Sequence, residues 1–283
     1  MSNAAKGAFW MIAAAGALTA MAVCIRYLPA YSVLLMIFLR NVINLILMAP
    51  SILRQGTDVI KTQRLGTHAL RNLFLYSGNV AWFYGVTLIA LADVASLQFT
   101  SPLFTAIIAA AFLGERIGGH RMVAILVGFA GALIIIRPGI IPINLGTVMI
   151  LIAAFLYSCA HVVTKRLSDT ESGTTVVFYM SVTILIYSAI PAFFVWQIPT
   201  WADMPAMIGL GITGYATHYC ITRSLAMGDA SFVIGFDFMR LPFSLILGWL
   251  LFREILDFWT CAGALIIFAA GYYSTVREAK KTG

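Results

Sequence analysis

Two stretches of this chain repeat one another, and each reads as five apolar segments of membrane-spanning length. At one constant offset Gly7, Ala14, Ala15, Arg26 and Leu28 fall on Gly146, Ala153, Ala154, Lys165 and Leu167. Further along, Gly78, Ala90, Asp93 and the Ala95-Ser96 step track Gly214, Ala226, Asp229 and Ala230-Ser231. An odd number of crossings per copy turns the second copy upside down in the membrane. Two inverted halves around a shared site is a common construction of secondary transporters, because exchanging the conformations of the halves moves a cavity from one side of the bilayer to the other. The pattern predicts an all-α integral membrane fold of ten transmembrane helices, arranged as inverted five-helix repeats over residues 1–138 and 139–283.

Composition agrees: 61% of residues are hydrophobic, only 10% are charged, and the mean hydropathy is +0.94. A soluble globular domain does not have this make-up. The expected spans are Gly7 to Cys24, Ser32 to Leu53, Leu70 to Leu91, Asp93 to Leu113, Met122 to Ile136, Gly146 to Thr164, Thr174 to Trp196, Met204 to Met227, Asp229 to Phe252 and Phe258 to Ser274. They are helical because lipid supplies no partner for an unpaired backbone group. The first segment resembles a signal peptide, but its counterpart at Gly146 is internal, so it is expected to be retained.

The net charge of +7 reflects topology. With the amino terminus in the cytoplasm, inside segments hold Lys6, the Arg54 to Arg71 loop, Arg116, Arg121, Lys165, Arg166 and the Arg277 to Lys281 tail, and outside loops hold only Arg26, Arg137 and Arg253. This asymmetry places both termini in the cytoplasm of an inner or plasma membrane protein and gives no reason to expect a nucleic-acid partner. Cys24, Cys159, Cys220 and Cys261 all fall within spans with no CxxC pair, so neither a disulfide framework nor a metal site is expected. Asp93 and Asp229 follow very short turns and are expected to cap the helices they begin.

The residues that point to chemistry are those that are costly in lipid unless they meet a partner or a watery cavity. Asp237 and Arg240 share one face of the ninth span, and Pro242 frees a backbone carbonyl one turn back. Gln98, Ser101 and Pro102 make a similar arrangement on the fourth, so both central helices are weakened at corresponding places. Arg40 lies on the second span, His161 with Tyr157 on the sixth, and His218 with Tyr215 and Tyr219 on the eighth. Asn72, Tyr76 and Asn79 form a polar stripe on the third. Arg240 and Arg40 are candidates to hold an anionic group such as a carboxylate, and Asp237 to face an amine or a proton. Mutual neutralisation of Asp237 and Arg240 competes with that reading. A histidine titrates near neutral pH, so His161, His218 or Asp237 is a candidate proton carrier. The rival class is a membrane-embedded metal-dependent enzyme using His161, His218 and Asp237, although no HExxH-type spacing supports it.

The stretch SPLFTAIIAAAFLGER from Ser101 to Arg116, its equivalent RLPFSLILGWLLFRE from Arg240 to Glu254, and the intramembrane Arg40 together resemble the EamA-type branch of the drug/metabolite transporter superfamily. The resemblance implies a ten-helix inverted-repeat fold that moves small metabolites, with no cofactor. The run from Phe236 to Phe243 is similar to one in members linked to riboflavin or S-adenosylmethionine uptake. The expected partners are a small polar organic substrate, preferably amino-acid-like or otherwise zwitterionic, possible coupling protons, and the lipid bilayer.

Overall fold

A computed structural model describes residues 3–55, 61–113, 119–137, 144–168, 170–171, 173–227, 235–254 and 257–282. Among them every regular element is helical: α1 (Asn3–Arg26), α2 (Val33–Gln55), α3 (Leu65–Leu88), α4 (Leu91–Gln98), α5 (Ser101–Leu113), α6 (Gly119–Ile136), α7 (Leu145–Ser168), α8 (Gly173–Phe194), α9 (Met204–Met227), a 3-10 turn (Gly235–Met239), α10 (Arg240–Phe252) and α11 (Phe258–Thr282). Among the described residues, five stretches are long and apolar enough to cross a membrane: Ala5–Arg26, Val33–Pro50, Leu91–Phe112, Leu145–Thr164 and Thr175–Phe194. Shorter apolar helices cover Leu126–Ile135, Arg240–Phe252 and Phe258–Ala270. Neither α3 nor α9 meets that standard of apolarity. His68, Arg71, Asn72 and Asn79 on α3, and Tyr215, His218 and Arg223 on α9, dilute two helices that the sequence pattern reads as spans.

The fourth apolar segment is broken. Phe99 and Thr100 leave the helix through amide bonds to the carbonyls of Ser96 and Leu97 at 3.2 and 3.0 Å, a tightening to 3-10 geometry. Pro102 then lies in the first turn of α5, where its missing amide costs nothing. The ninth segment has the same design, with a 3-10 turn ahead of α10 and Pro242 in that helix's first turn.

Packing pairs the helices. α3 runs against α7 and α1 against α9. In the first pair Gly85 lies level with Ile150, Gly78 with Tyr157 and Arg71 with Thr164, which makes it antiparallel. The second has Gly209 beside Cys24, and Ser224 donates to the Gly7 carbonyl at 2.8 Å. α6 crosses α11 at Gly131 and Gly263, where a Cβ on Gly263 would stand 2.6 Å from the Gly131 carbonyl oxygen. That close helix contact is therefore internal to the chain.

The main hydrophobic core sits toward the end of the bundle where α1 and α3 finish. Ile25, Leu28, Leu35, Met36, Ile37, Phe83, Val86, Leu91, Ile150 and Leu210 belong to it and are almost fully buried. Toward the opposite end the packing divides into two small clusters. One joins Met11 and Ala14 of α1 to Cys220 of α9, and the other joins Ile108 and Ala109 of α5 to Val162 of α7.

Candidate functional site

Between the α1/α9 pair and the α3/α7 pair, polar side chains gather at middle depth. Arg40 on α2 is 4% exposed. Its stem lies along α9 because Gly214 offers no side chain there: a Cβ on Gly214 would come within 3.2 Å of Arg40 Cδ. The guanidinium lies over the Phe83 ring at 5.2 Å and near Met21 Sδ at 3.9 Å, with Nε buried and unpartnered. Among the described residues it meets no carboxylate. A cation kept in apolar surroundings with a free donor is poised for an anionic or strongly accepting group.

Gly78 plays the matching role on α3. A Cβ there would stand 2.8 Å from the Tyr157 ring, so glycine lets the ring lie against the helix backbone. The Tyr157 hydroxyl then donates to Asn79 Oδ1 at 2.9 Å. Arg40 and Arg240 both lie within electrostatic reach of that hydroxyl. Gly78 and Gly214 coincide when the two halves of the sequence are matched, and each seats a long side chain of the site.

Arg240 opens α10 and is ion-paired with Asp237 in the preceding 3-10 turn. Its guanidinium lies over Phe99 at the break between α4 and α5, at 5.4 Å. Both broken segments thus meet at one charge. A narrow cleft beside it is lined by Arg240, Gln98, Trp82, Thr19 and Ser244. Gln98 Oε1 is buried there without a partner. Ser101 is tied to α7, its hydroxyl 3.0 Å from that of Ser158, which also donates to the Ser101 carbonyl at 2.8 Å.

The remaining candidates divide. Tyr76 faces Tyr187 at 6.1 Å between ring centres with its hydroxyl buried and unpartnered. His218 lies within electrostatic reach of both Arg40 and Arg71, and His161 within reach of Arg71. His161 is exposed although its helix face, shared with Tyr157 and Thr164, looks into the bundle. Tyr215 stacks on Tyr219, but Tyr219 turns outward, T-shaped to Trp10 and accepting from Arg223 at 3.1 Å. It lies away from the group around Arg40. His161, His218 and Asp237 do not assemble as a ligand set: among the described residues no cluster suited to a metal ion is found.

Sequence reasoning passed over Arg71 and His68. Arg71 was placed in a loop, yet it is 9% exposed and donates to Thr164 Oγ1 at 3.0 Å and to Asn72 Oδ1 at 2.9 Å. The usable signal was Thr164, a hydroxyl on the His161 face of its helix.

The EamA-like transporter family matches this chain twice, over residues 5–137 and 144–276. The chain belongs to that family. Among its relatives, a riboflavin transporter of Vibrio cholerae is 30% identical over 98% of this chain and 95% of its own. An S-adenosylmethionine uptake transporter of Rickettsia bellii is 28% identical over 86% of this chain and 84% of its own. A pseudopaline exporter of Pseudomonas aeruginosa is 28% identical, covering 86% and 85%. A solved crystal structure covers 99% of both chains with a TM-score of 0.67 at 16% identity, and shares the fold. This EamA protein is a multi-pass membrane transporter of the drug/metabolite superfamily and not an enzyme. The metal-dependent alternative has no support.

Proposed function

We propose that this EamA protein is a secondary transporter that carries a small polar organic metabolite by alternating access through ten spans built as two inverted repeats. The two family matches of similar length, the antiparallel α1/α9 and α3/α7 pairs, and the paired breaks before Pro102 and Pro242 support that architecture. Both termini face the cytoplasm and the membrane is the inner or plasma membrane, by the distribution of Lys and Arg.

The observation that carries the substrate reading is Arg40, buried with a free Nε and no carboxylate partner among the described residues. It replaces Arg240 as the leading anion holder, because Arg240 already has Asp237. The favoured cargo is amino-acid-like or otherwise zwitterionic, its carboxylate on Arg40 and its remaining polar groups toward Tyr157, Asn79, Gln98 and His218. Riboflavin and S-adenosylmethionine are the alternatives that the relatives' activities supply. Transport is coupled to protons, with Asp237, His161 or His218 as carrier.

Ligands of the folded state raise its apparent stability, so a thermal-shift panel of amino acids, vitamins and nucleoside derivatives identifies the substrate. Arg40→Met should stay folded in detergent while losing the ligand-induced shift, and a retained shift overturns the assignment. In vesicles an imposed pH gradient should drive accumulation. Indifference to the gradient refutes proton coupling.

A further inference from the structure

The narrow cleft beside Arg240 holds two polar atoms that no other part of the protein satisfies. It lies between α1, α3, α4 and α10, and Ala22, Trp82, Val94 and Ala95 supply much of its apolar wall. Gln98, at the end of α4, is 7% exposed, and its Oε1 is buried without a partner among the described residues. Arg240 faces it from the start of α10. The ion pair with Asp237 engages NH2 and leaves Nε buried and unpartnered. Because the guanidinium lies over Phe99 at 5.4 Å, the residue directly after Gln98, α10 presents the arginine at the level of that glutamine. Thr19, which also lines the cleft, already donates its hydroxyl to the Ala15 carbonyl of its own helix at 2.9 Å.

An amide oxygen and a guanidinium N–H together call for a group that gives one hydrogen bond and takes another. A carboxylate satisfies Arg240 Nε but sets acceptor against acceptor at Gln98. An ammonium satisfies Gln98 but sets cation against cation at Arg240. Neither charged end of a zwitterion therefore fits here. A carboxamide meets both needs only through two heavy atoms side by side, whereas the cleft has room for about one water-sized group. A hydroxyl donates and accepts from a single oxygen, and the apolar wall suits the carbon that bears it.

We infer that the Gln98–Arg240 cleft is a hydroxyl-recognising subsite, and that the substrate carries an alcohol group that donates to Gln98 Oε1 and accepts from Arg240 Nε. This rests on the transport reading and narrows its substrate class to hydroxylated metabolites. The selectivity has a physical source: an analogue without the hydroxyl leaves two buried polar atoms unsatisfied, which costs more than the loss of one exposed bond. Position adds to it. Leu91 lines the same cleft and its amide is accepted by Glu254 at 2.9 Å, so the hydroxyl lies directly beneath the end of the bundle where α1 and α3 finish.

Matched pairs test this. The purified full chain is titrated, by thermal shift, with homoserine against α-aminobutyrate, riboflavin against lumiflavin, and adenosine against dideoxyadenosine. In a pair that responds, the alcohol should bind about tenfold tighter than its hydroxyl-free analogue. Gln98→Leu should bring the alcohol down to the level of that analogue. The O-methyl ether of the same alcohol keeps the acceptor but loses the donor, and on the wild-type protein it should bind no better than the hydroxyl-free analogue, which keeps the test decisive if Gln98→Leu does not fold. Equal binding within every pair, as expected if the cleft takes a bridging water only, overturns the inference. So does an ether that binds as well as its alcohol, a preference that survives Gln98→Leu, or no response to any of the three alcohols. A shift produced by an amino acid without a hydroxyl, and lost in Arg40→Met, leaves the transport reading standing when this one falls.

Discussion

The two ends of the bundle use the same helices and are closed in different ways. At the end where α1 and α3 finish, polar bonds cross from one side of the cavity to the other. Arg26 of α1 donates from Nε to the Val86 carbonyl at 2.9 Å, bonds the Ile89 carbonyl, and is ion-paired with Glu254. Glu254 also accepts the Leu91 amide at 2.9 Å, capping α4 from outside. Tyr31 and Asp203 join the loops ahead of α2 and α9, and Arg137 pairs with Asp257. At the Arg71 end the bonds instead run within one side: Ser224 to Gly7 joins α9 to α1, Arg71 to Thr164 joins α3 to α7, and Arg166 to the Phe112 carbonyl joins α7 to α5. The closed end is thus sealed by caps on helix termini. A seal of that kind is lost in one step, because a helix end that moves leaves its partner group unsatisfied.

The largest expected effect comes from Glu254→Ala. It strands the Arg26 charge at a site only 15% exposed and uncaps Leu91, so about 2–4 kcal/mol of stability should be lost in detergent. A cysteine at Met36, buried in the core beneath this seal, should become reactive from the Arg26 side. An unchanged melting temperature with unchanged labelling would show that the apolar core alone holds this end shut.

A smaller effect separates the ends more sharply. Tyr31→Phe removes a donor to Asp203 at 2.7 Å and an acceptor for the Thr200 amide at 3.0 Å. Ser224→Ala removes one fully buried hydroxyl bond at the other end. Each should cost about 1 kcal/mol. Only Tyr31→Phe should raise labelling at position 36, because only its bonds lie at the end that covers Met36. Equal labelling in both variants would erase the distinction between the ends.

Much of this architecture was legible in the sequence, and for a physical reason. Repeated apolar segments admit few arrangements in lipid, and a proline beside polar residues marks a weakened helix, as the breaks before Pro102 and Pro242 illustrate. Partners across helices were not legible. Asp93 was expected to cap α4, yet it accepts from Thr260 at 3.0 Å, and α4 is capped by Glu254 from far along the chain. Asp229 lies outside the described residues. Gly78 and Gly214 were visible as matched positions, but that they seat Tyr157 and Arg40 depends on which helix faces which. Arg71 escaped notice because it sits among the loop cations that set topology, and only packing shows it turned inward.

The smallest effect is a pH dependence confined to the closed end. Asp203 lies in the turn before α9, outside the spans, and hydrogen bonds from Thr200 and then Tyr31 hold its carboxyl below the usual range for an aspartate. A carboxylate favoured in the folded protein adds stability above its unfolded pKa, about 3.9, and loses it as pH falls through the lower folded value. Wild type should therefore exceed Asp203→Asn in melting temperature by a constant margin at neutral pH, and the margin should shrink below about pH 4. In Tyr31→Phe one of the two bonds is gone, so the margin should be smaller and its loss complete at higher pH than in wild type. Labelling at position 36 should rise over the same pH interval if the Tyr31–Asp203 bond helps to seal this end. A margin that disappears already at neutral pH, or one that persists unchanged below the folded value, would remove Asp203 from the seal and leave Arg26 and Glu254 to carry it.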